Sequence, residues 1–306
     1  MKASFFRAFG GPEVLEYGEF PDPVPAAGEV LVDIHAASVN AADWKMRSGQ
    51  YANVGLPHVP GRDFSGVVSA LGEGARDFQV GDEVFAVCEV PREGAYAERI
   101  AIRQEIVARK PASLTHAQCA AVALAGLTAV VSIEDTLKLQ KGETILVQGG
   151  AGGVAGFAIA LAKHIGARVI TTASAANHDY VRSLGAEQVI DYRSRDFTRL
   201  VSGCDAVFDT VGGEVTARSF AVLRPGGRLA SVAAGASAAA SPRADVSSLR
   251  PKVDRDRPHL ERVAELVARR IVPVPEIVEY PLAEAAAAHR VSEARHLRGK
   301  LVLRVR

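Results

Sequence analysis

The run Thr144–Gly156, TILVQGGAGGVAG, holds the most chemistry per residue in this 306-residue sequence. An apolar strand runs straight into a glycine cluster, which opens a helix (FAIALAKHIGA) and is followed by a second strand, RVITT. A helix N-terminus presents unpaired N–H groups and the positive end of its dipole to a phosphate. Glycines permit the tight turn, the close approach of a pyrophosphate and the packing of helix on strand. A glycine turn alone would say little. Strand, glycines, helix and strand in this order point to a dinucleotide site.

An NAD-binding fold commonly carries Asp or Glu about 20 residues further on, accepting hydrogen bonds from the ribose diol. Here Thr171, Thr172, Ala173 and Ser174 occupy that place, with Asn177 and His178 beyond. No carboxylate follows the strand, so nothing repels a 2′-phosphate, and hydroxyl and amide donors are at hand for one. Arg182 and Arg193 are nearby cations; Arg182 reads equally as part of a solvated face, Arg193 less so. NADP(H) is the expected cofactor.

The elements around this motif change character along the chain. The first third is rich in short Val/Ile segments, Glu29–His35, Phe64–Ala70 and Asp82–Val87, punctuated by glycines, and predicts a twisted barrel or sandwich. Near KPASLT, Ser113 or Thr115 is placed to cap a helix. Strands and helices then alternate: strand 144–148, helix 153–165, strand 168–173, helix 176–184, strand 188–190, strand 206–209, helix 214–222 and strand 228–232. Such alternation predicts right-handed crossovers and a doubly wound parallel sheet. Ala233–Ser248, rich in Ala and Ser, predicts a loop, and HLERVAELVAR (259–269) an amphipathic helix. The tail predicts strand 276–280, helix 282–292 and strand 300–305.

Composition narrows the classes. Apolar residues make up 48%, charged residues 23%, and the net charge is +1. This excludes a disordered chain and gives no electrostatic footprint for nucleic acid or an acidic membrane. The N-terminus lacks the apolar run of a signal peptide. Ala117–Val131 reads as too short and too polar to span a bilayer. A cytoplasmic protein without nucleic-acid or membrane partners is expected. Cys88, Cys119 and Cys204 lie far apart, offering neither a disulfide framework nor a structural zinc site.

Nearly the whole chain resembles the zinc-independent branch of the medium-chain dehydrogenase/reductase superfamily, the quinone oxidoreductases and related NADPH-dependent enone reductases. The resemblance rests on ASVNAADWKMRSG (37–49), PGRDFSGVV (60–68), VGDEV (80–84), GAYAE (94–98), AGLTA (125–129), 147–156, LGAEQVIDY (184–192), DTVGG (209–213) and HLRGKLVL (296–303). It implies a GroES-like, mostly β catalytic domain over 1–119 and 272–306, with a doubly wound Rossmann cofactor domain over 120–271 inserted into it. The fold class is α/β, with nicotinamide and substrate held between the domains.

The departures are informative too. Zinc alcohol dehydrogenases carry a ligand cysteine where this chain has Asn40 and a ligand histidine where it has Arg62, and no ligand type stands near Leu124–Ala125. Asp63 alone cannot hold catalytic zinc. No zinc and no other metal is expected. Ala155 replaces the last glycine of the motif, an accepted variant.

By the same resemblance Thr128 meets the nicotinamide carboxamide, and Gly152, Gly153 and Val154 meet the pyrophosphate. Ser174, Asn177 and Tyr192 surround the 2′-phosphate ribose, with Tyr192 as a core or interface aromatic the alternative. Val211, Gly212, Val232, Ala233 and Ala234 border the nicotinamide, and Lys300 reaches the cofactor from the C-terminal segment. Asn40 faces the nicotinamide and donates to a substrate oxygen. Tyr51 is the nearest phenol for proton donation or stacking, or else a surface tyrosine. Asp43 with Arg62 reads as an ion pair.

Without metal, hydride from the nicotinamide suits a quinone or an activated enone, whose product phenolate or enolate is far more stable than an alkoxide. Three functions follow: an NADPH-dependent quinone reductase; an enone or enoyl reductase, including a biosynthetic one; and an NADP(H)-binding protein with little turnover, as a redox sensor or in a non-redox role. A homodimer, paired through the region of strands 205–209 and 228–232, is expected from the family and from the frequency of two-fold dimers.

Overall fold

The computed structural model describes residues 1–51, 54–233, 237–295 and 297–306. They group into two units, one of residues 1–124, 255–268 and 274–306, the other of 125–254 and 269–273.

The first unit opens with a hairpin of β1 (Lys2–Phe5) and β2 (Glu16–Glu19). Then come β3 (Glu29–Val39), α1 (Ala41–Arg47), β4 (Asp63–Leu71), β5 (Glu83–Val87), β6 (Arg99–Arg103) and β7 (Val107–Arg109). In β3 the alternation predicted from EVLVDIH holds: Val30, Val32 and Ile34 are fully buried, and their neighbours Leu31, Asp33 and His35 are less so. The strand pairs with β4 and β6, and these inward residues join Phe64, Val84, Ile102 and Tyr96 in one core. The short helix α1, inside a region read as all β, was not predicted.

Thr115, not Ser113, caps α2 (His116–Val130). Its hydroxyl accepts the Gln118 N–H at 3.2 Å, and the Gln118 side chain accepts the Thr115 N–H at 2.9 Å. The helix continues through a wider π turn, Val131–Thr136. Together they make 21 residues, long and apolar enough to cross a bilayer, contrary to the expectation from 117–131; 83% of the most apolar window is nevertheless buried within the protein.

The second unit holds a six-stranded parallel sheet ordered β10-β9-β8-β11-β12-β13. These are β8 (Thr144–Gln148), β9 (Arg168–Ala173), β10 (Gln188–Asp191), β11 (Cys204–Asp209), β12 (Leu223–Ser231) and β13 (Ser247–Leu249). Helix α3 (Gly153–Ile165) has the predicted bounds and ends at left-handed Gly166. The helix expected over 176–184 is a 3-10 turn, Ala175–Asn177, followed by α4 (His178–Ser183). The helix expected over 214–222 likewise splits into α5 (Glu214–Ser219) and a 3-10 turn.

The segment read as loop ends in an edge strand. Val246 is buried, and Arg243 donates to the carbonyls of Phe220 and Leu223. Strand β11 is interior, flanked by β8 and β12, so the edge beyond β12 is β13 and not the 205–209 region.

The chain then forms α6 (Arg257–Ala268), with Leu260, Val263, Leu266 and Val267 buried at the predicted positions. It closes with β14 (Ile277–Pro281), α7 (Ala285–Glu293) and β15 (Lys300–Arg304). Strand β15 lies between β14 and β3, so the C-terminal segment completes the first unit's sheet. Helix α6 also belongs with the first unit, whereas the resemblance implies residues 120–271 as one domain.

Candidate functional site

In the second unit, the turn between β8 and α3 is shaped by what it cannot contain. Gly149 takes φ +77°, a left-handed conformation, and a Cβ there would lie 3.0 Å from Thr210 Oγ1. A Cβ on Gly150 would fall 2.3 Å from Thr171 Oγ1. Gly152 is the N-cap of α3 and brings no capping side chain, so the first-turn N–H groups of Gly153 and Val154 are left for an anion. These residues fit a dinucleotide pyrophosphate.

The turn is held from β9. Thr172 Oγ1 accepts the Gly149 N–H at 3.1 Å and donates to Gln148 Oε1 at 2.7 Å, and Thr171 donates to the Val147 carbonyl. Both threonines are buried. They are braces for the glycine turn and not donors to a 2′-phosphate, as the sequence had suggested. Ser174 and Asn177 remain half-buried past the strand end, linked by an Asn177 Nδ2 to Ser174 Oγ bond of 3.2 Å. Tyr192 is 49% exposed, which excludes a core role in the chain, and the Arg193 guanidinium lies 6.0 Å from its ring centroid. The chain does place a carboxylate here: Asp191, at the end of β10, is in register with Ala173 at the end of β9. It escapes a search along the sequence because its nearness comes from the sheet.

On the other side of β8, Asp209 organises two of the predicted segments. Its Oδ1 accepts the N–H groups of Val211 and Gly212, at 2.8 and 3.2 Å. Its Oδ2 accepts the hydroxyls of Thr216 and Ser231, and the Ser231 hydroxyl accepts the Ala233 N–H. The Asp209 carbonyl takes the Val232 N–H at 3.1 Å. Val211, Gly212, Val232 and Ala233 are thus brought together around one fully buried carboxylate. Ala234 lies outside the described residues. Asp209 was missed as an organiser, although an Asp ending a strand before Gly-Gly is a readable signal. Thr128 is buried in the helix, with its carbonyl bonded to Ser132 Oγ.

In the first unit, Asn40 and Lys300 come together across 260 residues. The Lys300 ammonium, almost fully buried, donates to Asn40 Oδ1 at 2.6 Å and to the Val39 carbonyl at 3.1 Å. Asn40 Nδ2 donates to Asp63 Oδ1 at 2.7 Å, and Asp63 also accepts from Ser38 Oγ and the Leu124 N–H. An ammonium only donates and a carboxylate only accepts, so the pair fixes which way round the amide sits. Burial pulls the Lys300 pKa down and pushes the Asp63 pKa up, and each charge partly offsets the other's shift.

The expected Asp43–Arg62 ion pair does not form. Arg62 Nε pairs with buried Glu93 at 3.1 Å. Asp43 Oδ2 instead accepts the Asn40 N–H at 2.8 Å and the Tyr96 hydroxyl at 3.1 Å. Desolvation raises the Asp43 carboxyl to about 7. The Tyr96 oxygen lies 3.1 Å from His289 Nε2, and Arg47 reaches His289 Nδ1 and Glu293. Tyr51 is 41% exposed, with the Lys45 ammonium 6.0 Å from its ring centroid.

Among the described residues no three His, Cys, Asp or Glu side chains gather as a metal site. Asn40 and Arg62, where the resemblance puts two zinc ligands, are an amide and a guanidinium, neither of them a zinc ligand type.

Residues 26–112 match the alcohol dehydrogenase GroES-like domain family, and residues 184–303 match the family described as zinc-binding dehydrogenase. A quinone oxidoreductase of Pseudomonas aeruginosa is 33% identical, the match covering 97% of this chain and 98% of that protein. The NADPH-dependent alkenal/one oxidoreductase of Arabidopsis thaliana is also 33% identical, over 99% and 79%. A mycocerosic acid synthase-like polyketide synthase of Mycobacterium tuberculosis is 32% identical over 98% of this chain, which spans only 15% of that protein's length. Among solved structures, the Escherichia coli quinone oxidoreductase complexed with NADPH superposes with a TM-score of 0.92, at 29% identity and with full coverage of both chains. Two family domains in this order, together with whole-length likeness to such enzymes, place the chain in the medium-chain dehydrogenase/reductase superfamily, in the quinone oxidoreductase branch.

Proposed function

We propose that the chain is an NADPH-dependent reductase that transfers hydride to a quinone, without a metal. The observation that carries this reading is the Asn40 amide clamped between Lys300 and Asp63. It puts a fixed hydrogen-bond donor where the zinc enzymes of the superfamily have a metal ligand.

Bound NADPH supplies the hydride, and this chain's residues do the rest. The N-terminus of α3 holds the pyrophosphate, Ser174 and Asn177 the ribose 2′ end, and Thr128 the carboxamide. Asn40 Nδ2 also donates, at a long 3.4 Å, to the carbonyl and hydroxyl oxygens of Ser38, weak contacts that its second N–H gives up for a better acceptor. That N–H is directed to the substrate oxygen, where negative charge grows as hydride arrives. A quinone needs no stronger electrophile, because its product is a phenolate. Tyr51 flanks the planar acceptor.

The second reading, an enone or enoyl reductase, is favoured by the likeness to the alkenal/one oxidoreductase and to a polyketide synthase. The same donor would bind an enone carbonyl. We further propose a homodimer, which light scattering checks.

The test is anaerobic NADPH oxidation with 1,4-benzoquinone and with but-3-en-2-one, with NADH and enzyme-free reactions as controls. NADPH-selective turnover of the quinone supports the first reading, and turnover of the enone alone supports the second. Tight NADPH binding with neither acceptor reduced would leave a nucleotide-binding protein.

A further inference from the structure

The cofactor choice read from the sequence rests on the lack of a carboxylate after β9, and the fold supplies one from the neighbouring strand. Strands β9 and β10 run parallel, with Asp191 paired to Ala173. The next residue after Ala173 is Ser174, and the 3-10 turn Ala175–Asn177 follows it. The Asp191 carboxylate is fixed by its own turn: Oδ1 accepts the Arg193 N–H at 3.1 Å, and Oδ2 accepts the Ser194 hydroxyl at 2.9 Å. Those two bonds keep its pKa below the ordinary range, with His178 and Arg193 adding to the effect.

Other charges lie nearby, among them Arg195, whose N–H is bonded to the Asp191 carbonyl. Asp179 and Arg182 pair with each other at 3.2 Å, and the Arg193 guanidinium lies by the Tyr192 ring. His178 Nε2 is buried without a hydrogen-bond partner among the described residues. A fixed anion thus ends β10 level with the end of β9, next to which stand the neutral donors of Ser174 and Asn177.

We propose that Asp191 is a specificity-determining residue: its negative charge weakens the binding of a 2′-phosphate relative to a 2′-hydroxyl and holds the NADPH-over-NADH preference down. The inference rests on the reading above that Ser174 and Asn177 receive the ribose 2′ end. A 2′-phosphate carries up to two negative charges and feels Asp191; a ribose diol is neutral and does not. The effect is a through-space repulsion at an exposed site, so it weakens as salt screens it.

The test is titration of the purified chain with NADPH and with NADH, followed by nucleotide fluorescence at low and at high salt. Asp191→Asn keeps an acceptor oxygen for the Arg193 N–H, turns the Ser194 contact into one that the amide N–H donates to the hydroxyl oxygen, and removes the charge. It is expected to tighten NADPH about fivefold at low salt, less at high salt, while NADH stays within about twofold. Asp191→Glu keeps the charge and is expected to leave the ratio of the two affinities within about twofold of wild type. An unchanged ratio in Asp191→Asn, or a ratio that moves equally in Asp191→Glu, overturns the inference and leaves the cofactor reading standing. A wild-type chain that binds neither dinucleotide overturns the cofactor reading, and this inference with it.

Discussion

The Tyr96 hydroxyl donates to Asp43 Oδ2 at 3.1 Å, and its oxygen lies the same distance from His289 Nε2. One phenol thus joins α1, behind Asn40, to α7. All three side chains are buried, and the titrations of Asp43 and His289 oppose each other. Burial raises Asp43 from 3.8 to about 7, so between these values the folded chain keeps a proton that the unfolded chain has released. Its contribution to stability is complete at low pH and is lost as pH rises through that window. His289 is lowered from 6.5 to about 3 by burial and by Arg47, so its contribution is lost as pH falls. His58 and His116, lowered to about 4, act in the same direction as His289. Asp43→Asn is expected to remove one of the raised carboxyls that oppose the histidines, Asp63 and Glu93 being the others, and to steepen the rise of stability between about pH 4 and pH 7. Urea midpoints measured across that range check it; parallel wild-type and variant curves would contradict it.

Lys300→Met removes the donor that fixes the Asn40 amide and keeps the stem that fills its place. The amide is then held by Asp63 alone, and kcat for quinone reduction is expected to fall about tenfold with the NADPH Kd within about twofold. Steady-state kinetics with a parallel nucleotide titration separates this from a direct cofactor contact, which would weaken NADPH binding instead.

Asn40→Ala takes away the proposed donor itself. A loss of about 100-fold in kcat is expected, comparable to deleting an oxyanion-hole donor elsewhere. The drop should be smaller for the acceptor with the more stable product anion, and the quinone-to-enone ratio of the losses reads this out.

Asp209→Ala strips four acceptor contacts from Val211, Gly212, Thr216 and Ser231. Breaking a buried network of this kind costs about 3 kcal/mol, so a lowered Tm and weaker NADPH binding are expected together. Thermal unfolding with and without nucleotide checks both.

Gly150→Ala places a methyl group against Thr171 Oγ1, itself bonded to Val147. The turn must shift to admit it. NADPH binding is expected to weaken at least tenfold while the first unit's sheet is unaffected, which calorimetric titration and circular dichroism report separately.

Much of the fold was legible because periodicity and glycine placement are local. The span of α3, the buried face of α6 and the alternation in β3 all follow from neighbours within a few residues. What escaped depends on partners far along the chain. Asp43 and Arg62 have opposite charges and suit each other on paper, yet Glu93 takes the guanidinium and Tyr96 takes the carboxylate. Thr171 and Thr172 have the right chemistry for a phosphate, but β9 is central enough to turn both hydroxyls inward. Asn40 and Lys300 were each singled out, and their contact with one another was not, because 260 residues separate them.

The threading of the first unit dictates an order of assembly. The six-stranded sheet draws only on residues 144–249, so it can close while synthesis is still under way. The other sheet cannot, because β3 waits for β15, and the ammonium that orients Asn40 arrives with residue 300. A nascent chain stalled before that point would carry a closed six-stranded sheet and an open edge on β3. The glycine turn is thus completed during translation, ahead of the buried cluster that holds Asn40.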